Sequence, residues 1–126
     1  MKRLIKMLGL GLMAVMFTFG AAVADEYLGS YVARISDADH YNSAGVYLDS
    51  AAQMVRQDRA NYHKFGIRDG ADDSDPWFRT NAQRARLQTM LERSGAMSSG
   101  VRSAIRNGTP LVEVEVWSNR VRVNLM

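Results

Sequence analysis

The sequence predicts an α+β domain, with a three-stranded antiparallel sheet built from an N-terminal strand and a C-terminal hairpin and packed on one face by about three helices. Three observations carry this reading. Alternation at period two is confined to the two ends of residues 25–126. Helical spacing with matched start and stop signals fills the middle. Helices grouped between strands, instead of alternating with them, define the class.

Residues 1–24 read as a cleavable export signal. Lys2, Arg3 and Lys6 precede an apolar run from Met7 to Ala22, and Ala22-Val23-Ala24 offers small residues at the two positions a signal peptidase needs. The run is interrupted by Gly9, Gly11 and Gly20 and is shorter than the roughly 20 apolar residues of a membrane span. Cleavage after Ala24 is therefore expected, leaving residues 25–126 as one domain in the periplasm or outside the cell, with no stable membrane anchor. It removes three of sixteen basic residues and leaves thirteen against thirteen acidic ones. The basic balance belongs to the signal, which withdraws charge as an argument for nucleic acid or anionic membrane as partner. The chain has no cysteine, which rules out disulfides, thiolate ligands and a catalytic thiol.

Tyr31, Ala33 and Ile35 alternate with Val32 and Arg34, which makes Tyr27 to Ile35 the first strand. Ser36 to Asp39 offers a helix start that His40 to Ser43 and Gly45 cut short, so one loose turn is expected. Val46, Tyr47 and Leu48 are expected to bring the chain back to the core.

The central helix is the best-signalled element. Ser50 and Gln53 form a capping box, and Gly66 can take the left-handed conformation that ends a helix, with Tyr62 and Ile67 meeting across the closure. Ala51, Met54, Val55, Asp58, Tyr62 and Phe65 make one stripe at three- and four-residue spacing, and Arg56, Gln57, Asn61 and Lys64 face away. A carboxylate inside an apolar stripe needs a partner, and Arg34 is a candidate for Asp58.

Residues 68–74 are rich in turn formers. The second helix starts either at Asp75-Pro76 or at the Thr80–Gln83 capping box. Leu87, Met90 and Leu91 form its inner edge, Ser94-Gly95 stops it, and Trp77 and Phe78 should fold over the core edge as a lid. A third helix fits Ser99 to Asn107, with Val101, Ala104 and Ile105 inward. Thr109-Pro110 resets the chain to extended geometry.

The last residues test their own register. A two-residue turn at Ser118-Asn119 pairs Val116 with Val121, Val114 with Val123 and Val112 with Leu125, and sets Glu115 beside Arg122 and Trp117 beside Arg120. A slip by one would oppose valines and arginines. The first strand should join this hairpin, on a side the sequence leaves open.

Four groups could carry function. His63 and His40 with Asp58 or Asp39 hold the minimum for proton transfer, but no serine elbow accompanies them. Asp69, Asp72, Asp73 and Asp75 could offer oxygens to calcium, although their spacing fails the EF-hand template. Arg56, Arg59 and His63 form a basic stripe on the solvent side of the central helix, suited to a carboxylate or phosphate. Trp117 with Arg120 is an interface-type pair on the outer sheet face. The two histidines lack zinc spacing, and no nucleotide fingerprint is present, so no cofactor is expected. The pattern as a whole predicts a small exported binding module for a partner protein or small anionic ligand of the cell envelope. The alternative is a small hydrolase using His63 or His40 with a nearby aspartate.

Overall fold

The computed structural model describes residues 24–126. The export-signal reading falls almost wholly outside the described residues. Strands β1 (Tyr27–Arg34), β2 (Leu111–Trp117) and β3 (Val121–Leu125) form one antiparallel sheet in that order. Helices α1 (Ala51–Ala60), α2 (Asn81–Leu91) and α3 (Ser99–Asn107) come between β1 and β2, and a 3-10 turn spans Asp37–His40. Among the described residues no helix is long and apolar enough to cross a membrane.

The hairpin has the register its alternation demands, with Val116 opposite Val121, Val114 opposite Val123 and Val112 opposite Leu125. These valines are buried with Tyr31, Ala33 and Ile35, so one face of the sheet is core and the other carries the charged residues. β1 pairs with β2, which makes β2 the central strand. The register of β1 shifts between Tyr27 and Gly29, where Gly29 has φ +146 and lies under the indole of Trp77. A side chain there would meet the ring at 2.9 Å, so the lid reaches the sheet only over a glycine.

α1 packs against α2, α3 and the 3-10 turn. Ser50 accepts from Gln53 N–H at 3.1 Å while Gln53 Oε1 accepts from Ser50 N–H, completing the capping box. The helix does not run to Gly66 as one α-helical rod. Asn61–Phe65 winds as a π turn, and Gly66, at φ 68, closes it with its own N–H and that of Ile67 both directed at the Asn61 carbonyl. The extra residue in that turn changes the direction in which its side chains point. Phe65, expected in the core stripe, is 42% exposed, Tyr62 is half-buried and Asn61 is buried.

α2 begins at the second of its two start signals, with Thr80 as cap and Gln83 returning the bond. Asp75 caps a separate turn, accepting from the N–H groups of Trp77 and Phe78. Phe78 is buried and Trp77 packs against the core, as a lid would. α3 has the expected bounds, with Val101 and Ile105 buried. Val46 and Tyr47 do not return to the core. They are 59% and 54% exposed in a loop pinned by Asn42 and a Tyr41–Tyr47 bridge, and Leu48 alone of the three packs inward.

Candidate functional site

Two polar groups flank α1, one sealed and one open. The sealed one centres on Arg59, the largest fully buried side chain among the described residues. Its Nε donates to Asp58 at 2.8 Å, its Nη1 donates to Asp75 at 2.9 Å and to the Asp73 carbonyl at 3.0 Å, and its guanidinium lies between the rings of Tyr31 and Tyr62. The expectation that Arg59 lines the solvent side of the helix is therefore wrong. α1 is covered by other helices as well as the sheet, so its buried arc is wider than one stripe and takes in the row Ala52, Val55 and Arg59.

Asp58 needed a partner and has one, but it is the neighbouring Arg59 and not Arg34. Arg34 instead donates to the Thr109 carbonyl and lies 3.9 Å from Asp69. Burial pushes Asp58 well above the usual carboxylate range, nearby Asp39 adds to the rise, and Arg59 opposes it. Asp39 is raised by burial too, against hydrogen bonds from Ser36 and Asn61. Asp75 goes the other way. Burial alone would raise it, but hydrogen bonds from His63, Arg59 and the Phe78 N–H outweigh that and hold it below its usual range. An ionised Asp75 only accepts, so His63 Nε2 donates to it at 2.8 Å. Tyr31 OH and Arg59 Nη2 have no hydrogen-bond partner among the described residues.

The structure does not unite the catalytic candidates. His40 is buried, with Nδ1 and Nε2 each 2.8 Å from a carbonyl oxygen, those of Ser36 and Ile105, so neither ring nitrogen faces a substrate. His63 is oriented by Asp75, not by Asp58 or Asp39, and no hydroxyl among the described residues bonds its other nitrogen.

The aspartate-rich loop spends its oxygens on the backbone. Asp73 Oδ2 accepts from Val32 N–H, Asp72 Oδ1 from Arg34 N–H, and Asp72 Oδ2 from Asp69 N–H. Asp73 N–H in turn donates to the Val32 carbonyl. These carboxylates act as a substitute strand along the free edge of β1, blocking edge-to-edge pairing. Among the described residues no three His, Asp or Glu side chains gather as metal ligands would. On the outer sheet face the Arg120 guanidinium stacks on Trp117 at 3.7 Å and pairs with Asp25 at 2.8 Å, and Trp117 meets Tyr27 edge to face. The pair is thus engaged within the chain.

The open group lies between α1 and α2, in a cleft of about 260 Å3. Arg56, Lys64 and Arg84 line it together with Gln53, Gln57, Asn81 and Gln88, and among the described residues no carboxylate does. Arg56 is held there by Gln88 at 2.9 Å and Asn81 at 3.2 Å, both neutral. Arg84 is 4% exposed, and its Nη1 donates to the Phe78 and Arg79 carbonyls. Burial, and then Arg56, lower its pKa below the usual guanidinium value. Of the expected binding residues only Arg56 stands in this cleft. Lys64 and Arg84 were not singled out in the sequence. A signal for Arg84 was present, since Arg84, Leu87 and Leu91 share the inward row of α2.

Comparison with protein-family models, with curated proteins and with solved structures found no match.

Proposed function

We propose that the chain is an exported, non-enzymatic binding module whose contact surface is the cleft between α1 and α2, taking an anionic ligand or the acidic surface of a partner protein in the cell envelope. One observation carries the reading: three cationic side chains and four neutral amides, and no carboxylate among the described residues, line the cleft. Arg59 and Arg120, by contrast, are each matched to an aspartate within the chain. Among the described residues the cations of the cleft have no carboxylate within ion-pair distance, and such positive potential favours negative partners. The three-part pattern of residues 1–24 supports export, and the neutral balance of residues 25–126 gives nucleic acid no support.

The hydrolase alternative draws on the His63–Asp75 pair at 2.8 Å, but that pair lacks a nucleophile and holds a buried arginine in place. NMR titration of the purified protein with acidic peptides, small anions and neutral sugars tests the proposal. Acidic ligands should shift Arg56, Lys64 and Gln88 resonances while neutral ones do not. Shifts confined to Trp117 and Arg120, or none with any acidic ligand, would remove the cleft as the contact surface.

A further inference from the structure

We propose that this cleft is a subsite for a phosphate group, free or carried on a small ester, with Arg84 as its anchor. The inference rests on the reading that the cleft is the contact surface, and adds the ligand's chemistry to it.

Arg84 is the first argument. A guanidinium removed from water is costly unless counter-charge and hydrogen bonds compensate it. Arg59 meets that demand inside the fold with two aspartates. Arg84, 4% exposed, has no carboxylate within ion-pair distance among the described residues, and Asp75 acts on it only from farther away. Two carbonyls share its Nη1, and its Nε and Nη2 make no hydrogen bond to the described residues. That leaves one edge of the fork for something outside the chain, at the wall of a cleft it helps to line.

The second argument is convergence. Arg56 is near enough to Arg84 for the two charges to repel, yet Gln88 and Asn81 hold it in place. Placing two like charges together is unfavourable in the empty site and favourable once a doubly charged group lies between them. Lys64 adds a third charge, from the π turn that follows α1. Asn81, the first residue of the eleven-residue α2, lines the cleft as well and keeps Arg56 turned toward it. Donors on two helices, converging around a space too small for a drug-sized molecule, suit a compact tetrahedral dianion better than a planar carboxylate, which one arginine fork would satisfy.

The test is a thermal melt and calorimetric titration of the purified protein with inorganic phosphate, glycerol phosphate, citrate and sodium chloride at matched ionic strength. Phosphate and its ester should raise the melting temperature, since a ligand that binds only the native state stabilises it. Chloride should not, and citrate should do so less. A phosphate response without an ester response marks the free ion as the source, and the reverse marks the ester; both support the site. Arg84→Met should abolish the shift, and Arg56→Gln or Lys64→Gln should each weaken binding about tenfold, or about 1.4 kcal/mol. Arg120→Gln, on the other side of the sheet, should leave it unchanged. Should Arg84→Met fail to fold, Arg84→Lys keeps a charge without the fork and should bind about tenfold more weakly than wild type. A phosphate effect equal to that of chloride, or one that persists in Arg84→Lys and Arg56→Gln alike, would overturn the proposal. If phosphate fails while acidic peptides still shift Arg56 and Lys64, the phosphate subsite falls and the binding surface stands. If both fail, both fall.

Discussion

Arg56 and Arg59 lie three residues apart on α1, one at the open cleft with α2, the other sealed among α1, the sheet and the loop before α2. Arg59 touches Asp58, Asp75 and two aromatic rings; among the described residues Arg56 hydrogen-bonds to the neutral Gln88 and Asn81 and pairs with no carboxylate. Both are arginines on one helix, so neither residue type nor local sequence separates their roles. The separation comes from compensation. A charge whose partners are all internal is part of the scaffold, and a group of charges left without partners is free to act on something else.

The largest test of that contrast removes the compensated charge. Arg59→Met should cost about 3–5 kcal/mol, because it leaves Asp75 and the Asp58–Asp39 pair buried without their cation. Urea unfolding measures this, and a loss no greater than that of Arg56→Met would erase the distinction. Asp75→Asn should cost about 1–3 kcal/mol. Its capping oxygen remains for Trp77 and Phe78, but the negative charge facing Arg59 and His63 is gone.

The sealed network should also write itself into the pH dependence of stability. Asp75 titrates lower in the folded chain than its ordinary 3.8, so its contribution is present above that value and lost as pH falls through the depressed one. Asp58 and Asp39 titrate higher when folded, so theirs is complete below 3.8 and lost as pH rises through the raised values. Unfolding midpoints from about pH 4 to about pH 8 should therefore decline for the wild type, and Asp58→Asn, which mimics the protonated carboxyl, should flatten the decline. A decline of equal slope in Asp58→Asn would show that protonation of Asp58 is not its source.

How much of this was legible depended on whether the cause was local. The hairpin register, the Ser50 and Thr80 caps, the Gly66 closure and the bounds of α3 arise from neighbouring residues, and the sequence shows them. Asp58 was recognisable as a charge in need of a partner, yet the identity of that partner depended on how many sides of α1 are covered. The same coverage turned Arg59 inward. The π turn moved Phe65 outward and let the Asn61 side chain reach Asp39, a change of one residue per turn that apolar spacing does not encode. The acidic loop resembled a metal site in composition because acceptors for a strand edge and ligands for calcium are the same oxygens. Only the tertiary position of β1 decides which they serve.

The smallest expected effect is the sharpest. Arg56→Gln keeps a hydrogen-bonding side chain beside Gln88 and Asn81, and among the described residues Arg56 has no carboxylate to strand. Its stability should change by less than about 0.5 kcal/mol, and relief of the repulsion with Arg84 could make the change favourable. A residue retained for folding would not behave so, whereas one held for a ligand would, giving up stability in the empty protein for charge in the occupied one. Measured side by side in urea and in the phosphate titration, Arg56→Gln should be silent in the first and impaired in the second. If it proves destabilising by as much as Arg59→Met, the open cleft is scaffold too, and compensation does not distinguish the two faces of α1.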